Sequence, residues 1–96
     1  MDEITKFQCD VWNVVKGIDI ESAEERLMTR GDLKITDEYL DMRLEDDDTD
    51  KYLVCRSYDF TPKNSKKRIC IHLIFGDNSG IVKDIEMFEL KINLEI

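Results

Sequence analysis

The densest group of potential ligands in the sequence is the run EDDDTD at residues 45–50, which places five carboxylates in six positions. Hard cations bind clustered oxygen atoms, and alternate aspartates of this run match the first three ligand positions of an EF-hand loop. The rest of that loop is missing, because Lys51 stands in place of the glycine that makes the sharp turn and Ser57 in place of the bidentate glutamate. We therefore expect no metal site here, and instead a turn between two strands.

A second group combines soft ligands. His72, the one histidine of the chain, shares a face of the predicted strand 68–75 with Cys70, and Cys55 lies on the preceding predicted strand. Thiolates and imidazoles are zinc ligands, and a thiol beside an imidazole is also a nucleophile–base pair. The spacing matches no zinc signature and supplies no fourth ligand. A small metal-binding or enzymatic domain that uses Cys70 and His72 is thus an alternative, not the leading interpretation.

The usual catalytic signatures are absent from the sequence. It contains no glycine-rich phosphate loop, no GxSxG elbow and no HExxH helix. Carboxylate pairs are abundant, but acid–base catalysis requires two carboxylates in contrasting environments within a cleft. A chain of 96 residues has little room for such a cleft. We expect neither an enzyme nor a cofactor.

The charge is unevenly distributed. Residues 1–50 hold 16 acids and 6 bases, a net charge of −10, whereas residues 51–96 hold 6 acids and 8 bases, a net charge of +2. The whole chain therefore carries −8. A negative field of this kind repels nucleic acid and anionic membranes, and it attracts basic protein surfaces.

Length and composition predict one domain that covers residues 1–96. No apolar run approaches the roughly 18–20 residues of a membrane span, and the acidic N-terminus is unlike a secretory signal. The cysteines Cys9, Cys55 and Cys70 are odd in number and include no CxxC pair. This pattern indicates reduced thiols in a cytoplasmic protein.

The first third of the chain predicts two helices. Residues 2–16 form an amphipathic pattern that ends before Gly17. Apolar side chains recur there at spacings of three and four, at Ile4, Phe7, Val11 and Val14. A second helix is predicted over residues 22–30, where Ser22 and Glu25 match the capping-box pattern and a glycine follows as a stop signal.

The remainder predicts strands. Residues 32–44 are ambiguous between helix and strand, and we favour a strand over 39–45. Residues 51–60 and 68–75 alternate apolar and polar side chains, as do residues 86–96 at the C-terminus. Turn residues separate these runs. We predict an α+β fold in which two N-terminal helices pack on a three- to four-stranded antiparallel meander sheet.

Size, acidity, charge layout and this small α+β pattern together resemble the DNA-mimic inhibitors made by phages, the anti-restriction and anti-CRISPR proteins. The resemblance lies in the acids of residues 37–50, above all EDDDTD, and in Glu21, Glu24 and Glu25, so it covers about half the chain. It implies a protein that occupies the nucleic-acid groove of a nuclease, often as a dimer. The basic run 63–68 departs from a uniformly acidic mimic.

The leading hypothesis is therefore a non-enzymatic inhibitor whose acidic face binds a basic surface of a restriction or CRISPR-type nuclease by DNA mimicry. The alternative with the same surface is an immunity or antitoxin-like protein that neutralises a basic toxin nuclease. Direct binding to nucleic acid or membrane is not expected. The candidate partner-binding residues are Asp37, Glu38, Asp41, Glu45, Asp46, Asp47, Asp48 and Asp50.

Two features raise the question of a homodimer. The alternating strand 86–96 is followed by no further element and is expected at a sheet edge, where strands can pair with another chain. The basic turn could contact the acidic half of a second copy. It contains Lys63, Lys66, Lys67 and Arg68.

Overall fold

The computed structural model describes residues 3–43 and 49–90 of the chain. The elements are α1 (Glu3–Val15), α2 (Ile20–Met28), β1 (Gly31–Arg43), β2 (Tyr52–Pro62), β3 (Arg68–Gly76) and β4 (Val82–Leu90). The strands form one antiparallel sheet in the order β1-β2-β3-β4, so each strand pairs with its neighbour in sequence. The predicted α+β fold, with two N-terminal helices and an antiparallel meander, is confirmed. Within the described residues, no helix is long and apolar enough to cross a membrane.

The hydrophobic core lies between the helices and one face of the sheet. The apolar stripe of α1 stacks Phe7 on Phe60 of β2, with ring centroids 6.0 Å apart. Burial of a large apolar side chain contributes about 1.5–3 kcal/mol, so this layer holds the helices on the sheet. Its largest fully buried members are Tyr58, Phe60, Leu27, Ile71 and Leu73, which confirms the alternation predicted for β2 and β3.

The helix ends agree only partly with the sequence prediction. α1 ends as expected before Gly17, whose φ of 72° is the left-handed conformation that glycine adopts freely. α2 begins two residues earlier than predicted, because Asp19 and not Ser22 is its N-cap. The Asp19 carboxylate accepts the Ser22 N–H at 3.0 Å and its hydroxyl at 2.8 Å. Gly31, predicted as the helix stop, is the first residue of β1.

β1 is one 13-residue strand, so the prediction of a strand over 39–45 was too short and began too late. Its register with β2 shifts between Ile35 and Asp37 and again between Leu40 and Met42. Each shift is a β-bulge, which inserts an extra residue and changes the face on which later side chains lie. The alternation therefore changes phase inside the strand, and this made the segment look ambiguous.

β4 begins at Val82, four residues before the predicted start, and the predicted residues 91–96 lie outside the described part of the chain. Ile85 and Met87 of this strand are buried against the helix layer, because the register places them opposite Leu73 and Ile71 of β3. The other face of β4 holds more exposed apolar side chains. These are Phe88 and Leu90, with 48% and 37% of their surface accessible.

Candidate protein-binding surface

Three of the predicted contact residues lie on β1 and face solvent. Asp37, Glu38 and Asp41 are all exposed, within a stretch from residue 34 to residue 41 in which every residue is exposed. The Asp37 carboxylate accepts the backbone N–H of Glu38 at 2.8 Å. Asp37 and Asp41 have no basic partner among the side chains that the structure describes. Two negative charges are therefore left uncompensated on this strand.

Glu38 differs from its neighbours because Arg56 of β2 holds it. The Arg56 guanidinium lies 2.6 Å from the Glu38 carboxylate and 3.1 Å from that of Glu24 on α2. The Tyr58 hydroxyl donates a second hydrogen bond to Glu24 at 2.7 Å. Arg56 also stacks over the ring of Phe75, with its guanidinium carbon 5.1 Å from the ring centroid. This network fastens α2 to the sheet beside β1.

The network keeps its members in fixed charge states. Burial by itself would lower the pKa of Arg56, but the hydrogen bonds to Glu38 and Glu24 outweigh burial and raise it above its usual range. Burial, and then the hydrogen bond to Glu24, raise the pKa of Tyr58 well above its usual value. Arg56 thus stays charged and Tyr58 stays a neutral donor. Neither group is available to transfer a proton near neutral pH.

Asp50 was predicted to contact a partner, and this is wrong, because its side chain is only 1% exposed. Its carboxylate accepts the backbone N–H groups of Asn78 and Ser79 at 2.9 and 2.7 Å and the Ser79 hydroxyl at 2.7 Å. Those hydrogen bonds, first that of the Ser79 backbone, hold the pKa of Asp50 below its usual range. A Cβ at Gly76 would collide with this carboxylate. Asp50 therefore anchors the β3–β4 turn.

The eight predicted contact residues thus separate into three groups. Asp50 belongs to the interior of a turn. Asp37, Glu38 and Asp41 lie on the surface, and Glu38 is tethered there by Arg56. Outside the described residues, and still predictions, are Glu45, Asp46, Asp47 and Asp48.

The basic turn between β2 and β3 follows the end of β2, away from the segment that joins β1 to β2. Its backbone is tied to the end of α2, because the Lys63 N–H donates to the Arg30 carbonyl at 3.0 Å. Lys67 forms an ion pair with Glu3 at 2.7 Å, and Arg68 forms one with Asp59. Two of its cations are thus matched by acids, whereas Asp37 and Asp41 are not.

Cys55, Cys70 and His72 lie on the face of the sheet opposite the helices, as the alternation predicted. Cys55 pairs in register with Ile74, however, and not with either of the other two. Within the described residues, no group of three His, Cys, Asp or Glu side chains is placed to hold a metal ion. Burial raises the pKa of both thiols, which favours the less reactive neutral form.

The surroundings of His72 are those of a sheet surface. Its ring meets the edge of the Phe88 ring at a centroid distance of 5.2 Å, and its Nδ1 lies 3.7 Å from the Glu86 carboxylate. Tyr39 of β1 is hydrogen-bonded to Cys55, which raises the pKa of Tyr39 to about 12. These contacts bring no nucleophile and base together with an orienting group in a cleft.

A shallow groove of about 200 Å³ opens between the start of α1 and the end of the sheet. Its walls include the apolar side chains of Ile4, Phe7 and Ile69, and the paired Lys67 and Glu3 lie beside them. Lys67 and Glu3 form an ion pair at 2.7 Å, and Glu89 is the third charged residue of the lining. The groove therefore presents a mainly apolar surface bordered by these three charges.

The two edge strands of the sheet, β1 and β4, differ in how far other elements cover them. At β4, the Gln8 side chain of α1 donates to the backbone carbonyl of Ile85 at 3.3 Å, and the strand packs against that helix. Within the described residues, β1 makes no backbone hydrogen bond to any element besides β2. Ile35 and Leu40 remain 53% and 61% exposed there. β1 is the open edge, whereas the sequence drew attention to the C-terminal strand.

Sequence reasoning also missed Arg56 and its partner Glu24 as a pair. A signal existed, because Arg56 interrupts the alternating run Val54, Tyr58, Phe60 at a position that faces the helix layer. A charged residue at such a position requires an opposite charge from the covering element. The acid could not be identified without knowing which turn of α2 lies over β2.

Comparisons with protein-family models, with curated proteins and with solved structures found no match to this chain.

Proposed function

We propose that this protein is a non-enzymatic inhibitor that binds the basic nucleic-acid groove of a restriction or CRISPR-type nuclease in place of the nucleic acid. The observation that supports this most is the pair of uncompensated acids on β1, Asp37 and Asp41, exposed on an open edge of the sheet. A net charge of −8 adds long-range attraction to a basic partner. Nucleic-acid-binding grooves are basic surfaces of this kind.

The acidic surface extends from β1 onto α2. Glu24 reaches Arg56 beneath β1, so the side of α2 that holds Glu24 lies next to this strand. Glu21 lies one helical turn earlier on that side and is exposed without a basic partner in the described part of the chain. Asp37 lies on the other face of β1, so these acids line both faces of the β1 edge. We call Glu21, Asp37 and Asp41, with the tethered Glu38, the β1–α2 acidic surface.

The distribution of ion pairs favours binding over a purely solubilising role. Arg56, Lys67 and Arg68 each contact at least one acid, so these three cations are already matched. Exposed acids without a basic partner attract the cations of a basic surface more strongly than acids that are already paired. The steering force between exposed charges is screened within about 10 Å at 0.1 M salt. Association should therefore slow markedly as salt is added.

The proposal is tested by capture from a bacterial lysate at low salt on columns that carry the full chain. One column carries the wild type and a second carries Asp37→Lys with Asp41→Lys. A matched control carries Glu86→Lys with Glu89→Lys, the same change of charge on β4. Retained proteins are identified by mass spectrometry and assayed for binding to a labelled DNA duplex.

We expect the wild type and the β4 control to retain nucleic-acid-binding proteins that salt releases, and the β1 variant to lose most of them. Equal retention on all three columns would contradict a specific role for the β1–α2 acidic surface. Retention of proteins that bind no nucleic acid would contradict the mimicry itself.

A further inference from the structure

The open edge of β1 offers a hydrogen-bonding ladder as well as charge. An edge strand presents unpaired N–H and C=O groups that can pair with another extended chain. The β4 edge leaves fewer backbone groups available for pairing, because α1 packs on this strand and the Gln8 side chain donates to the Ile85 carbonyl. α2 packs on β1 as well, but every residue from 34 to 41 stays exposed, and the side chain that meets the backbone there is that of Asp37, which accepts the Glu38 N–H at 2.8 Å. The two edges are therefore unequal sites for strand addition.

The bulges of β1 define which part of this edge can pair regularly. Register shifts fall at Thr36 and at Asp41, and the residues from Asp37 to Leu40 between them pair with β2 without interruption. Bulges bend the strand and interrupt regular pairing. An added strand would therefore pair over this short segment and not along all of β1. Such a limit also opposes the indefinite edge-to-edge stacking that leads to aggregation.

The side chains of Asp37–Leu40 specify which side chains an added strand should place opposite them. Asp37 and Tyr39 share the face away from the helices, where Cys55 and Ser57 are their neighbours on β2. Glu38 and Leu40 share the other face, and Glu38 is already neutralised by Arg56 at 2.6 Å. The free charge is thus that of Asp37, and the free apolar surface is that of Leu40, which is 61% exposed.

We propose that β1 binds an extended basic segment of its protein partner by antiparallel strand addition along Asp37–Leu40. Cross-strand pairs of opposite charge and of apolar side chains stabilise a sheet. The partner strand should therefore carry an aliphatic residue opposite Leu40 and a Lys or Arg opposite Asp37. Opposite Tyr39 we expect an Arg, whose guanidinium can stack on the ring. The inference rests on the proposed function, since it assumes a basic partner.

A second copy of the chain fits this edge less well. Pairing two copies over the same segment would place the acids of both on one short ladder, where like charges oppose each other. Each chain also carries a net charge of −8, which repels its copy. The observed charges thus favour a basic strand over self-pairing.

The probe for this proposal is the acetylated and amidated peptide Gly-Val-Arg-Thr-Lys-Gly, titrated to millimolar concentration into the full chain. Its control is the same peptide with N-methyl groups on the amides that would face β1, which keeps the charge and removes the hydrogen bonds. Amide NMR shifts and hydrogen exchange are followed along β1 and β4. Leu40→Lys is the test variant and Phe88→Lys on β4 is its matched control.

We expect the plain peptide to slow exchange of amides within Asp37–Leu40. N-methylation should weaken binding about tenfold, the effect of losing one or two hydrogen bonds. Leu40→Lys should also weaken it about tenfold, because it replaces an apolar contact with a positive charge that repels the basic peptide. Equal, salt-sensitive binding of both peptides would overturn strand addition while leaving the charge-based function standing. Absence of binding by either peptide would also overturn it, and the column experiment would still decide the function. A dimer of the free chain that Leu40→Lys dissociates would assign the edge to a second copy.

Discussion

The two edges of the sheet have the same antiparallel hydrogen-bonding capacity but opposite surroundings. β4 is packed against α1, and Ile85 on it is 4% exposed. On β1, Ile35 is 53% exposed, and Asp37 and Asp41 have no basic partner among the described side chains. The comparison shows that one edge is packed into the fold and the other is largely exposed.

The difference follows from the order of elements. α1 and α2 cover one face of a four-stranded sheet, and α1 packs on β4 at one side of it. On the β1 side, α2 packs on the strand and binds Arg56 of β2 through Glu24, while residues 34–41 of β1 remain exposed. An exposed edge is an aggregation hazard unless charges or bulges protect it. β1 has both, so it can remain open without pairing to other chains.

The largest expected contrast is between the same substitution on the two edges. Ile85→Ala should lower the free energy of unfolding by about 3 kcal/mol, because it removes buried methyl groups and leaves a cavity. Ile35→Ala should lower it by less than about 1 kcal/mol, because that side chain is half exposed. Urea denaturation of both variants measures the two losses of unfolding free energy. Equal losses would mean that β1 is as firmly packed as β4.

A second contrast concerns two aspartates of the predicted surface. Asp50→Asn should cost about 2 kcal/mol, because a buried carboxylate loses charge-assisted hydrogen bonds from the β3–β4 turn. Asp37→Asn should leave stability unchanged within error. Thermal or urea unfolding of the two variants provides the comparison, and a destabilised Asp37→Asn would refute the assignment of Asp37 to the binding surface.

Asp50 should also contribute to acid unfolding. Its folded pKa lies below that of the unfolded chain, about 3.9, so its stabilisation is fully present above about pH 4. It is lost as the pH falls through the folded pKa. Stability measured from pH 6 to pH 2 should therefore decline less steeply at the acid end in Asp50→Asn than in the wild type. Parallel curves would contradict the hydrogen-bonded carboxylate.

The Arg56 network should have a smaller effect. Arg56→Met should cost about 1.5 kcal/mol, because Glu24 is largely buried and would lose its charged partner. Lys67→Met removes an exposed ion pair with Glu3 and should have no measurable effect. If both variants unfold at the same urea concentration as the wild type, the network does not fasten α2 to the sheet.

The smallest effect is expected for Gln8, whose side chain binds the backbone of the β4 edge. Gln8→Ala should cost about 0.5–1 kcal/mol and make the edges more alike, because the Ile85 carbonyl loses its side-chain donor. Amide exchange in β4 should then become faster while exchange in β1 stays the same. An unchanged β4 would indicate that α1 packing, and not the hydrogen bond, closes this edge.

The parts of the fold that sequence predicted well are those set by local periodicity. Ile69 and Ile71 alternate with polar neighbours along β3, and the burial of one face follows directly from that period. The C-terminus of α1 was predictable because Gly17 supplies a left-handed residue. β1 was not, because the bulge at Thr36 shifts the phase of its pattern.

The candidate site was less predictable, because its members depend on distant contacts. Asp50 looks like its neighbours in the acidic run, and its burial depends on a turn that includes Ser79, 29 positions later. Glu38 is tethered only because Arg56 lies opposite on β2. The sequence located the acidic half of the chain, but which acids remain free is decided by tertiary structure.

Competition for a captured nuclease tests the central claim most directly. A labelled DNA duplex is bound to a nuclease retained by the wild-type column, and the free chain is added at low and at high salt. We expect the wild type to displace the duplex, less effectively at high salt, and Asp37→Lys with Asp41→Lys to weaken displacement at least about tenfold while Glu86→Lys with Glu89→Lys does not. Displacement that is indifferent to the β1 substitutions, or no displacement at all, would contradict the claim that β1 holds the binding surface.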